Sequence, residues 1–278
     1  KRNSDYTPAI HFYIHATEVM GRAGDALTYA ERLGRLAPSA SHLVHMPSHV
    51  YIRTGNYLAA EKSNAIAAEV DRKYIRETGA QGMYPVMYYT HNVHFQSAAA
   101  AMAGRHAEAK KSAQVLVDAV LPVLSMDPML EGFLLQPIFV ALRFQKWDDV
   151  RKMEDPGPKL PLARAAWLYA RAMAAAASKD AQAADALRAA YGIARDAVPP
   201  AQMAGPQNSA VALFAVATPV LDARIAESLG DHARALASWE RAVAADDALA
   251  YDEPPAWYYP VRESLGGALL RAGRAADA

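Results

Sequence analysis

The sequence predicts an all-α chain built from antiparallel helix pairs, and three observations carry that prediction. Alanine supplies 62 of the 278 residues and glycine only 15, a bias toward the residue with the best helix propensity and away from one of the worst. Apolar residues recur at helical period, as in Ala26-Leu27-x-x-Ala30-x-x-Leu33. Between such stretches a short punctuation returns: a turn, most often a glycine and then a polar residue, with alanine five positions after it. It stands at Gly21…Ala26, Gly55…Ala60, Gly104…Ala109, Gly230…Ala235 and Gly273…Ala278, with Gln145…Val150 as a degenerate copy. Two amphipathic stretches around one tight turn make a helical hairpin.

Taken in order, the pattern predicts about seven hairpins of irregular length. The first spans 8–37 and closes at Pro38, which cannot continue a helix. The second spans 39–78 and holds Pro47 in its first helix. There proline removes the hydrogen bond to the Leu43 carbonyl and bends the helix; the alternative is a late helix start that leaves His42 and His45 in a loop. The third and fourth span 83–127 and 128–155. The fifth, 160–198, has no glycine turn, so its register stays open; its run Ala172–Ala177 between Arg171 and Lys179 reads as tight helix packing. The sixth, 206–249, contains the longest apolar stretch, residues 209–221. That stretch is too short to span a bilayer and is interrupted by Pro219, so it reads as a buried helix. The seventh, 254–278, ends soon after its turn. No Gly/Ser linker separates them, so 1–278 is expected to be one continuous array.

Composition narrows the function. Lys+Arg and Asp+Glu are 29 each, which argues against holding nucleic acid or an anionic membrane by bulk charge. Hydrophobic residues at 53% and charged residues at 21% suffice for a core. There is no cysteine, so disulfide scaffolds, Cys-ligated zinc and iron–sulfur clusters are excluded. The start, Lys1-Arg2-Asn3, carries no apolar targeting segment.

The histidines are the most specific feature. Seven of the nine fall in three clusters, His11/His15, His42/His45/His49 and His91/His94. Counted back from the turn glycine of the same hairpin, they occupy offsets of 13, 10 and 6 residues. Seven of the nine such slots in the first three hairpins hold His, where average composition would place roughly 0.3. Steps of three and four put each cluster on one helix face, and packed helices lie about 8–10 Å apart, so imidazoles from neighbouring hairpins are expected to converge.

Gly21 and Gly55 are 34 residues apart, the period of tetratricopeptide repeats. The Gly-x-(Tyr or His)-x-x-Ala turns resemble that family as well. The strings His42-Leu43-Val44-His45-Met46-Pro47-Ser48-His49, His11-Phe12-Tyr13-Ile14-His15 and His91-Asn92-Val93-His94-Phe95 resemble one bacterial subgroup of it, as does Asp252-Glu253-Pro254-Pro255-Ala256-Trp257-Tyr258-Tyr259. The resemblance covers most of the chain, most strongly the His-rich part 8–105. It implies a right-handed superhelix of helix pairs (an α-solenoid), a longer parent repeat protein of which this is a piece, and a soluble bacterial setting, cytoplasmic or exported. It also implies that the His stripe lines the concave groove where such proteins contact ligands.

Three functional readings follow. The first is a binding module without catalysis, in which His11, His15, His42, His45, His49, His91, His94 and Arg53 line a groove for a peptide, a protein or a small anionic ligand. The second is a metal protein. His11-x3-His15 and His45-x3-His49 are i,i+4 pairs and His91-x2-His94 an i,i+3 pair, spacings that let imidazoles share one ion. His11, His15, His45, His49, His91 and His94 are its ligands, with Glu18 one turn beyond His15, and neutral imidazole suits zinc, copper or nickel. The third is a metal-dependent hydrolase. A zincin needs Glu after the first His of the pair, where this chain has Phe12 and Met46, and no nucleophile elbow or phosphate loop is present. In the fourth hairpin, Leu135, Phe139 and Leu142 are expected on the groove face, and Arg143 beside a turn is placed to clamp a carboxylate or to form a surface ion pair. The run Trp257-Tyr258-Tyr259 reads as core, or as a stacking surface.

Overall fold

The structure is a computed structural model and describes residues 4–82 and 84–278; Lys1, Arg2, Asn3 and Met83 lie outside the described residues. Among the described residues all regular elements are helical, apart from an isolated bridge between Met203 and Ser209. The chain divides into two compact units, 1–123 and 124–278, each described by itself.

The first unit holds α1 (Thr7–Val19), a 3₁₀ turn Ala23–Ala26 leading into α2 (Leu27–Leu36), α3 (Ser41–His45), α4 (Pro47–Arg53), α5 (Tyr57–Thr78), a π-helical segment Tyr84–Tyr89 leading into α6 (Thr90–Met102), and α7 (His106–Val120). α1 packs on α2, α3 and α4 on α5, and α6 on α7. Successive pairs also touch, through α1 and α4, α2 and α4, and α5 and α6. The second unit holds a 3₁₀ segment Pro128–Leu135, α8 (Gln136–Arg143), α9 (Trp147–Lys152), α10 (Pro161–Ala177), α11 (Ala181–Asp196), α12 (Ala210–Ser228), α13 (His232–Asp247) and α14 (Arg262–Arg271). Its strongest pairings are α10 with α11 and α12 with α13.

One turn geometry accounts for the hairpins. At each of seven turns a residue adopts positive φ: Gly21, Gly55, Gly104, Gln145, Lys179, Gly230 and Gly273. The next residue's N–H donates to the carbonyl five positions back, as in Asn56 to Tyr51 (2.8 Å), Lys146 to Ala141 (2.8 Å), Asp180 to Ala175 (3.1 Å) and Asp231 to Ala226 (2.9 Å). This is the Schellman-type closure, which ties off orphan helix carbonyls. Five positions after the left-handed residue lie Ala26, Ala60, Ala109, Val150, Ala184 and Ala235, all buried; small side chains there let the two helices approach closely. The fifth hairpin uses the same turn with Lys179 at φ 59. No glycine marks this turn, because a side chain at αL is tolerated at a cost of roughly 1–2 kcal/mol.

Pro47 acts as the bend rather than as a late start. α3 ends at His45, Met46 keeps right-handed helical angles (φ −49, ψ −37), and α4 begins at Pro47. His42 and His45 are therefore helical. The apolar stretch 209–221 lies within α12, whose Ser209 accepts from the Ala212 N–H as N-cap and whose Leu213, Phe214, Val216, Val220 and Leu221 are buried. Leu135, Phe139 and Leu142, expected on a groove face, are instead core residues of the second unit, as are Trp257 and Tyr259. Leu135 and Phe139 stand before Gln145 at the same offsets as histidines of the stripe, but offset alone cannot tell a solvent-facing stripe from one covered by neighbouring aromatics such as Tyr258, which stacks on Phe139. Arg143 pairs with Glu263 at 3.0 Å, the ion-pair alternative. Glycine is required at Gly132, where a Cβ would lie 2.1 Å from the Ala204 carbonyl oxygen.

Candidate metal centre

The first unit brings six of the seven clustered histidines together. α1 carries His11 and His15, α3 carries His42 and His45, α4 carries His49 and α6 carries His91. They form two triads. One ring nitrogen from each of His45, His49 and His91 lies within 4.8 Å of the other two, and the same holds for His11, His15 and His42. His94, one turn beyond His91 on α6, joins neither triad among the described residues.

The inner triad is the tighter. His45 Nε2 is 2.8 Å from His49 Nε2 and 3.1 Å from His91 Nε2. His45 and His49 are fully buried. Phe95 packs against all three rings at centroid distances of 4.9, 5.0 and 5.1 Å, so an apolar wall backs the nitrogens and lowers the local dielectric.

The outer nitrogens of this triad set its chemistry. Asn64 donates its amide N–H to the Ala60 carbonyl at 2.8 Å, which leaves its Oδ1 to accept, 2.6 Å from His45 Nδ1. His45 Nδ1 therefore carries a proton and its Nε2 presents a lone pair. Burial, and secondarily the neighbouring His49 and His91, hold the His45 pKa well below its ordinary value, so the ring is neutral near pH 7. The Glu18 carboxylate accepts from His49 Nδ1 at 2.7 Å and from Arg53 Nε at 3.1 Å. His49, held at Nδ1 by this carboxylate, turns its Nε2 inward to 2.8 Å from His45 Nε2. Two nitrogens that close need a proton or a metal ion between them. Carboxylate and amide groups that fix the distal nitrogen are the usual outer support of imidazole metal ligands. Tetrahedral zinc with Zn–N of about 2.0–2.1 Å needs nitrogens about 3.3 Å apart, a few tenths of an ångström from the distances seen.

Glu18 is thus buried beneath His49 and bound to Arg53. A ring nitrogen of His15 and one of His49 also lie within 4.8 Å of a Glu18 oxygen. Arg53, expected to face a ligand, spends its Nε on Glu18.

Asn64 belongs to no cluster of metal-ligating residue types in the sequence. It lies in α5 on the stripe Ala60, Asn64, Ala67, Ala68 and Asp71, which is buried throughout. Polar residues breaking an apolar helical stripe are the signal that would have found it. Asp71, the second break, accepts from Tyr84 Oη and Asn92 Nδ2, both at 2.7 Å. It ties α5 to the π-helical segment and to α6 next to His91.

A pH dependence follows from His45. The unfolded chain protonates this ring near its ordinary value of about 6.5, whereas the fold keeps it neutral well below that. Below about pH 6.5 the unfolded state binds the extra proton, so stability falls with pH by up to about 1.4 kcal/mol per unit for one site, until the folded-state value is reached. Urea midpoints measured in chelator from pH 8 to 5 are expected to hold above about 6.5 and to decline below it. A flat profile would remove the buried neutral ring from the account.

No helix of the described residues is long and apolar enough to cross a membrane. No family model, curated protein or solved structure matches the chain.

Proposed function

We propose that this chain is a tetratricopeptide-type repeat module whose first three hairpins bind a transition-metal ion, with His45, His49 and His91 as ligands. The observation that carries the reading is the convergence of three Nε2 atoms while Asn64 and Glu18 hold the distal nitrogens of two of the rings. Neutral imidazoles favour zinc, copper and nickel over magnesium or calcium. The seven like turns support the repeat assignment, and with it a right-handed superhelix presenting its His stripe in a groove.

A second reading has the same rings recognise a peptide, a protein or a small anion without metal, and the partial exposure of His11, His15, His42 and His91 favours it. Metal uptake separates the two. The 278-residue chain, stripped with chelator and titrated with zinc, is expected to bind at least one equivalent with micromolar or tighter affinity and to melt higher when loaded. Less than about a tenth of an equivalent of zinc, copper or nickel bound would end the metal reading and leave the groove reading in its place.

A further inference from the structure

We infer that His11, His15 and His42 form a second metal position beside the first, so that the first unit carries an all-imidazole dinuclear centre; this rests on the metal reading above. His11 Nε2 lies 2.9 Å from His42 Nε2. The His11 ring meets His15 edge-on at 4.9 Å and His42 at 5.0 Å. The two triads are in ring contact: His42 stacks on His45 at 5.8 Å, and His15 meets His49 at 4.9 Å. One ion cannot serve all six rings. Ligands of one ion at metal–nitrogen distances of about 2.0–2.1 Å are at most roughly 4.2 Å apart; nitrogens of His15 and His49 approach within 4.8 Å, but no group that close holds all six rings among the described residues. The helix geometry is the reason. His11 and His42 face each other across α1 and α3, while His45 and His49 lie one and two turns further along the α3–α4 rod and face α6.

The two positions differ in access. Of the inner rings His45 and His49 are sealed and His91 is partly exposed, whereas His11, His15 and His42 are each partly exposed. The outer ion is therefore the more open of the two and keeps coordination positions within reach of solvent. An ion at the outer position, held by three partly exposed rings, completes its coordination with water or with a small anion such as hydroxide or azide.

Copper and zinc loading of the full chain tests this. Equilibrium dialysis against zinc is expected to give two equivalents for the native chain and one for His42→Ala, with the affinity of the remaining site changed less than about threefold. Titration with copper(II) is expected to give an isolated paramagnetic resonance signal at the first equivalent. At the second, that signal broadens and loses intensity through coupling, and azide perturbs the loaded spectrum. One equivalent in both native and His42→Ala protein overturns the second position while leaving the metal reading intact; no metal in either overturns both. Two uncoupled copper signals whose intensity rises linearly overturn the adjacency. His11→Ala repeats the stoichiometry test should His42→Ala fail to fold, and the native copper titration needs no variant.

Discussion

His45→Ala/His49→Ala is expected to lower zinc affinity at the inner position by about two orders of magnitude or more, the largest functional effect of any change in this chain. Two of three inner ligands go, and the third, His91, is left with no partner ligand in its triad. The substitution also has a structural cost, because both rings are fully buried. It leaves Asn64 Oδ1 and Glu18 Oε2 without the N–H groups they accept from, at about 1–3 kcal/mol per orphaned group, and opens a cavity behind Phe95. The metal-free variant is therefore expected to melt several degrees below the native chain. Affinity is measured by competition with a chromophoric chelator at a temperature where circular dichroism shows the variant folded. His91→Ala, a partly exposed ligand, is the gentler control and should weaken zinc while costing less stability. Native zinc stoichiometry together with native affinity in the folded double variant would refute the assignment of these ligands.

Glu18→Ala has the second largest expected effect, and it acts on both stability and binding. The carboxylate is fully buried between His49 and Arg53. Removing one partner of a buried charge pair costs about 3–5 kcal/mol. The Arg53 side chain is 31% exposed and recovers part of its hydration, so we expect about 2–4 kcal/mol here. The His49 ring also loses the group that fixes its proton on Nδ1, and loss of such support lowers metal affinity about 10–100-fold. Glu18→Gln keeps an acceptor oxygen and discards the charge, so it should fall between native and alanine in both measurements. Denaturant midpoints in chelator report the stability, and zinc competition reports the affinity. If Glu18→Ala unfolds at the native midpoint, the buried pair contributes nothing, and the support assigned to His49 falls with it.

Much of the helical layout was legible before any coordinate. Glycine turns placed the boundaries at Gly21, Gly55, Gly104 and Gly230 because left-handed backbone nearly demands glycine. The fifth turn was not legible, since Lys179 adopts the same φ and no residue type announces that. The six convergent histidines were legible as a stripe, because offsets of three and four residues are helix geometry. Asn64 was passed over although it interrupts an alanine stripe. Leu135, Phe139 and Leu142 share helical spacing with a groove stripe but are core, because spacing does not reveal what covers a face.

What the sequence determined by itself is therefore periodic and local: helical elements, their turns, and which face of each helix carries imidazole. Those follow from backbone sterics and from 3.6 residues per turn, which act within a few positions of the chain. What only the tertiary structure decided is the sorting of six rings into two triads, the exclusion of His94, and the direction in which each lone pair points. These depend on groups far away in sequence, Asn64 19 residues from His45 and Glu18 31 residues from His49. Hydrogen-bond direction is set by which partner has a proton left to give, and that is known only once the helices have packed.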